Sequence, residues 1–294
     1  MSEQELRNGW KMEVDPIKIY REYKEHTAKK EGKEAVVYIK IGGFEGLNEF
    51  EKISKAVNGQ DNVVRMIEMN EDLRYHKKYI LCDSYPKSNQ DWYKKNDLDE
   101  KRIKVLMQHL FAGLKYIHSK NIVHRDIQPE NLKLFDNDIL KIYNFTSAWD
   151  LSDGETVHDR HRVTVQYRPI ELLFCKAEIS TAVDMWSAGC VMAELFMKRP
   201  LFDGVSQPDV ICKIFDYLGK PTEEVWNEII EDSAARDRFD LDGVVEQERG
   251  FEEKLKEFKV PANAIDLIKN LIVYRPTGRL TATQALEHVY FKED

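Results

Sequence analysis

Asp126 and Asn131 stand five residues apart in the passage His124-Arg125-Asp126-Ile127-Gln128-Pro129-Glu130-Asn131-Leu132, and a second amide, Asn144, follows shortly after. A carboxylate can accept a proton from a hydroxyl, and an amide oxygen is a neutral ligand for a hard cation. Lys40 closes the run Val37-Tyr38-Ile39-Lys40 and places an ammonium at the end of an apolar stretch.

Such groups need rigid elements to hold them, and the chain supplies two textures. Up to about residue 82 short β-branched or aromatic runs predict strands over Ile17–Tyr20, Ala35–Lys40, Val63–Ile67 and Tyr79–Cys82, with one helix near Leu47–Val57. From Leu98 the pattern is helical: Ile103, Leu106, Met107, Leu110, Leu114 and Ile117 recur every three or four residues and make one face apolar. That helix runs into the Asp126 passage. Two brief strands, Asn131–Phe135 and Ile139–Tyr143, are expected around the turn residues Asp136-Asn137-Asp138. The stretch Asp83–Asn89, with Pro86, reads as the hinge between an amino-terminal part (1–82) and a carboxy-terminal part (91–294).

The 294 residues, 42% hydrophobic, are enough for two packed parts. A net charge of −8, from 44 basic and 52 acidic residues, argues against a general binder of nucleic acid or of anionic membranes. Cys82, Cys175, Cys190 and Cys212 are widely spaced and read as reduced thiols, mostly buried, with no metal or redox pairing. The charged start, Met-Ser-Glu-Gln-Glu-Leu-Arg, carries no secretory pattern and no run has membrane-spanning length, so a cytoplasmic or nuclear location is expected.

The Asp126 passage resembles the H-R-D-x-K-P-x-N-L loop of protein kinases, and further motifs follow in order. Asp184-Met185-Trp186-Ser187-Ala188-Gly189-Cys190 resembles D-x-W-S-x-G-C of the group holding cyclin-dependent, MAP and casein kinase II enzymes. Arg199–Gly204 resembles K-P-L-F-x-G, and Arg275–Ala282 with Ala285–Phe291 resembles that group's closing motif. The helical insert between about 203 and 261 is typical of the group, and Ala235-Arg236-Asp237-Arg238-Phe239 within it is most similar to the casein kinase II branch. The resemblance implies an α+β, two-lobed kinase fold, with Asp184 bracing the catalytic loop and Arg279 paired to Glu171.

It also implies site roles. Asp126 is the base, Asn131 a metal ligand and Thr164 the hydroxyl that orders the loop, while Gln128 replaces the lysine that neutralises the migrating phosphoryl. Lys40 matches the lysine that grips the ATP phosphates. Its acidic partner is Glu49 or Glu51, with Glu49 preferred because Phe50, Ile53 and Ala56 follow in apolar register. Cys82 and Asp83 would border the nucleotide. Leu6–Val14 can be laid on the glycine loop, of which only Gly9 survives; a plain amino-terminal strand is the other reading.

Asn144-Phe145-Thr146 stands where D-F-G is expected, so the second metal ligand is neutral and magnesium should be held weakly. Phe145 can still pack beside His124. Thr156 and Thr164 could accept phosphate, and Arg160, Arg162 and Arg168 could keep part of an acidic-substrate preference. The resulting expectation is an impaired kinase, a pseudokinase acting through protein contacts, with ATP bound weakly or without metal and a regulatory subunit at the amino-terminal lobe as one allowed partner. A divergent active serine/threonine kinase is the competing reading.

Overall fold

The computed structural model describes residues 3–6, 9–13, 16, 18–19, 23–40, 47–72, 77–86, 92–94, 98–135, 138–153, 164–174, 179–229 and 250–292. In the first lobe β1 (Glu3–Glu5), β2 (Lys11–Glu13), β3 (Lys18–Ile19), β4 (Tyr23–Lys30) and β5 (Lys33–Lys40) are followed by α1 (Leu47–Ala56), β6 (Met66–Asp72) and β7 (Lys77–Asp83). The sheet is antiparallel in the order β1-β2-β4-β5-β7-β6, with β3 added beside β4. Alternation along the strands gives it two apolar faces. Ala35, Val37, Tyr79 and Leu81 join Leu6, Trp10, Met12 and Ala28 in a small outer core. Val36, Ile80 and Cys82 point the other way, into the main core shared with the second lobe.

Helix α1 covers part of that inner face with Phe50 and Ile53, while Val57 just beyond it is buried too. Of the apolar run Val63–Ile67 only Met66 and Ile67 enter a strand, β6. The backbone at Val63 and Val64 bonds across to Ile142 in the other lobe, and strand pairing starts only at Met66.

In the second lobe α2 (Glu100–Ser119) begins at Asp99, whose carboxylate accepts the Arg102 amide at 2.8 Å. Its predicted apolar face is buried. After the short α3 (Ile170–Leu173), helix α4 (Ala182–Met197) is covered nearly all round, as expected of a helix apolar on every side. It lies so close to the helix Ala262–Leu271 that a Cβ at Gly189 would sit 2.9 Å from Leu271 Cβ. Among the described residues no helix is long and apolar enough to cross a membrane. Cys82 and Cys190 are buried free thiols, whereas Cys212 is exposed; Cys175 lies outside the described residues.

The expected pair Arg279–Glu171 is present, doubly bonded at 2.7 and 2.8 Å and fully enclosed. Arg279 also donates to the carbonyls of Val273, Tyr274 and Ala182 and lies over the Trp186 ring. Every donor is used, as a buried guanidinium requires. Arg279→Ala should therefore lower stability by about 3–5 kcal/mol, read as a fall in the denaturant midpoint; a loss within the surface range of about 0.5 kcal/mol would contradict this account.

Candidate active site

Two small ladders set the site. β8 (Ile122–Val123) pairs with β11 (Trp149–Asp150), and β9 (Leu132–Leu134) with β10 (Leu140–Ile142), so the passages 124–131 and 143–148 between them lie side by side. Asp184, wholly buried on α4, accepts the backbone N–H groups of His124 at 2.8 Å and Arg125 at 2.9 Å, and bonds His118 Nε2 at 2.9 Å. Burial opposes its charge, but the bond and charge of His118, with help from His124, outweigh burial and lower its pKa. Arg125 is thereby held at φ +63°, a left-handed conformation rare for its type, and its Nε donates to Ser147 O at 2.6 Å.

Asp126 lies 7% exposed at the head of the loop. Its Oδ1 accepts the Thr164 hydroxyl at 3.1 Å and Gln128 Nε2 at 3.0 Å, and its Oδ2 accepts Asn131 Nδ2 at 2.6 Å. Burial raises its pKa, against the opposing pull of His124, Asn131 and Thr164. Phe145 packs edge-on against His124 with ring centres 4.9 Å apart, as expected.

Residues 19–291 match the protein kinase domain family. The chain belongs to that family. It is 36% identical over 68% of its length to "Cyclin-dependent kinase G1" of Arabidopsis thaliana and 36% identical over 65% to "Cyclin-dependent kinase 11.2" of Caenorhabditis elegans. It is 30% identical over 79% to "Cell division control protein 2 homolog 1" of Trypanosoma brucei brucei. The match spans 78% of the trypanosome protein but only 33% and 29% of the plant and nematode proteins.

Kinases of this family use ATP with magnesium, and the residues at the metal positions can be tested for fit. Asn131 must turn its Nδ2 toward Asp126, which offers only acceptors, and so presents Oδ1 to Asn144 Nδ2 at 3.1 Å. Asn144 Oδ1 in turn accepts the Thr146 hydroxyl at 2.6 Å. Thr146, Asn144, Asn131 and Asp126 form one relay in which both amide oxygens already accept a hydrogen bond. A dication here would meet one carboxylate and two neutral amide oxygens, each already accepting one hydrogen bond. Asn144 adopts φ +62°, which Asn tolerates better than most residues.

Other expectations fare differently. Gly9 is not part of a phosphate loop: it sits at φ +76° in the exposed turn between β1 and β2, whose Leu6, Trp10 and Met12 serve the outer core. β2 pairs directly with β4, and the sequence that links these two strands, 14–22, contains no glycine. Lys40 ends β5 and Glu49 lies in α1, but their side chains lie outside the described residues. Glu51 is engaged by Lys55 at 2.5 Å. Lys52 instead ties α1 to the passage after Asn144, through Asp150 at 3.0 Å and Asp153 at 2.7 Å, a link that no motif announced.

Cys82 is buried on the inner face of β7, and burial pushes its thiol far up. Asp83 bonds Arg65 at 2.9 Å, and its carbonyl accepts the Tyr143 hydroxyl. Arg168 bonds Gln207 at 3.1 Å. Thr156, Arg160, Arg162 and Ala235–Phe239 lie outside the described residues.

The segment that carries Thr164 is fixed from below. Ser187 Oγ donates to Tyr167 O at 2.7 Å, and the Tyr167 hydroxyl donates to Glu194 at 2.7 Å. Burial, with Glu130 and Asp203 nearby and against the pull of Tyr167 and Lys94, raises the Glu194 pKa to about 7. An unfolded glutamate titrates near ~4.3, so the contribution of Glu194 is complete below that pH and is lost as pH rises through about 7. Glu194→Gln, which keeps an acceptor for Tyr167, should gain in melting temperature over the wild type between pH 5 and 8. A gap that does not change with pH would contradict the assignment.

Proposed function

We propose that this member of the kinase family works by binding other proteins in the cytoplasm or nucleus, with phosphoryl transfer lost or strongly reduced. The relay from Thr146 through Asn144 and Asn131 to Asp126 carries the reading, because its amides satisfy one another without a cation. Gln128 supports it. In place of a lysine charge for the migrating phosphoryl, it spends its amide on Asp126. Each missing electrostatic group costs roughly 10²–10³ in rate, and two neighbouring losses bring turnover toward background.

A weakly active serine/threonine kinase is favoured by one observation: Asp126 keeps the Thr164 hydroxyl at 3.1 Å, as a proton acceptor ordered for a substrate would. The placing on the casein kinase II branch is part of the proposal and has only Ala235–Phe239 as support, since two of the relatives above, the plant and nematode proteins, are named as cyclin-dependent kinases. Those names make the relatives dependent on a cyclin. For this chain a regulatory protein at the first lobe is the matching proposal, and the edge strand β6 with exposed Ile67 offers a surface there.

Incubation with labelled ATP, magnesium or manganese and mixed peptides should give the same background for wild type and Asp126→Ala. Metal-dependent transfer by the wild type that Asp126→Ala abolishes would overturn the reading in favour of the weakly active kinase.

A further inference from the structure

We propose that the chain's own side chains occupy the place of the nucleotide base between the lobes, so that the cleft excludes ATP whether or not a metal is present. This goes beyond loss of transfer, because a pocket can hold a nucleotide that it never uses. With the triphosphate end of the cleft marked by Asp126 and Asn144, the base end lies against the inter-lobe connection at Asp83–Pro86.

Four side chains from four segments converge there. Ala28 and Ala35 face each other in register and both enter the outer core, so Glu25, three residues before Ala28, is on the inner face. It is 0% exposed. From the opposite lobe comes Lys133, central in β9 and 3% exposed. Tyr85, just past β7, joins the two: its hydroxyl donates to Glu25 at 3.0 Å, and the Lys133 ammonium lies 4.4 Å from its ring centre. Tyr143, just past β10, packs edge-on against Tyr85 with centres 5.5 Å apart, and its hydroxyl donates to the Asp83 carbonyl.

A planar base asks for apolar surfaces above and below it and for free backbone groups along its edge. Here it would meet a carboxylate from the sheet and an ammonium from the hairpin, and the Asp83 carbonyl is already taken. The aromatic volume is supplied by Tyr85 and Tyr143. Burial, reinforced by the acidic neighbours Asp83 and Glu25, pushes the Tyr143 phenol well up, and burial with Glu25 does the same for Tyr85, so both remain donors. Displacing the tyrosines would remove the hydroxyl bond on a buried carboxylate and the ring beside a buried ammonium. The closed arrangement is therefore self-consistent, and it shares no residue with the Asn131–Asn144 relay.

The test is calorimetric titration of ATP and of adenosine, in magnesium and in EDTA, against wild type, Tyr143→Ala and the triple variant Tyr143→Ala, Lys133→Leu, Glu25→Val. Each protein is first checked for a cooperative melt. The wild type should show no saturable binding at millimolar ligand, and the triple variant should bind adenosine at least about tenfold more tightly. Saturable wild-type binding in magnesium or in EDTA overturns the proposal, and so does a folded triple variant that still binds nothing. Should the triple variant fail to fold, Tyr143→Ala is judged by the same two outcomes. Wild-type binding without transfer would sink this inference alone and leave the proposed function standing.

Discussion

Asp184 lies entirely inside the second lobe, and its two oxygens take the amides of His124 and Arg125 together with a His118 ring nitrogen. Hydrogen bonds to a charged group are each worth about 1.5–3 kcal/mol, enough to hold Arg125 in a backbone conformation it would otherwise avoid. The helix that carries Asp184 also carries Ser187 and Glu194, which fix Tyr167 on the other side of Asp126. One buried helix thus positions both the loop with the base and the segment with Thr164. Gly189 on the same helix lets it approach its neighbour closely, and Arg279–Glu171 locks the far side.

None of these interactions involves a nucleotide or a metal, so the scaffold does not depend on the phosphoryl transfer that we propose is lost or reduced. Placed near Asp126, a second carboxylate would need a cation to offset like-charge repulsion. Asn144 removes that need by donating to Asn131. A similar economy operates at the base end of the cleft, where Tyr85 lies between the buried charges of Glu25 and Lys133. In the proposed reading both ends are complete without a ligand, each by different residues.

Much of the scaffold was legible in the sequence because its signals are local. The apolar periodicity of α2, the five-residue spacing of Asp126 and Asn131, and the motifs around Asp184 and Arg279 point to partners that the fold does bring together. What escaped needed tertiary information. Gly9 drew the eye because glycine marks phosphate loops, yet it lies between β1 and β2, one strand further out than the β2–β4 pair. Strand β4 reads as polar, Tyr-Lys-Glu-His-Thr-Ala-Lys-Lys, although Glu25, His26 and Thr27 are all buried. Lys133 likewise reads as a solvent-facing residue of a short strand, and only the packing of the lobes turns it inward. The start of the apolar Val63–Ile67 run stays out of β6 because its backbone partner, Ile142, lies in the other lobe.

The central claim is that the cleft is completed by the protein's own groups. Crystallising the wild-type chain with excess ATP and manganese addresses this most directly. The account predicts no base against Asp83–Pro86, with the Tyr143 hydroxyl still on the Asp83 carbonyl. A nucleotide lying there, with Tyr85 and Tyr143 swung aside and a metal on Asn131 and Asn144, would contradict it.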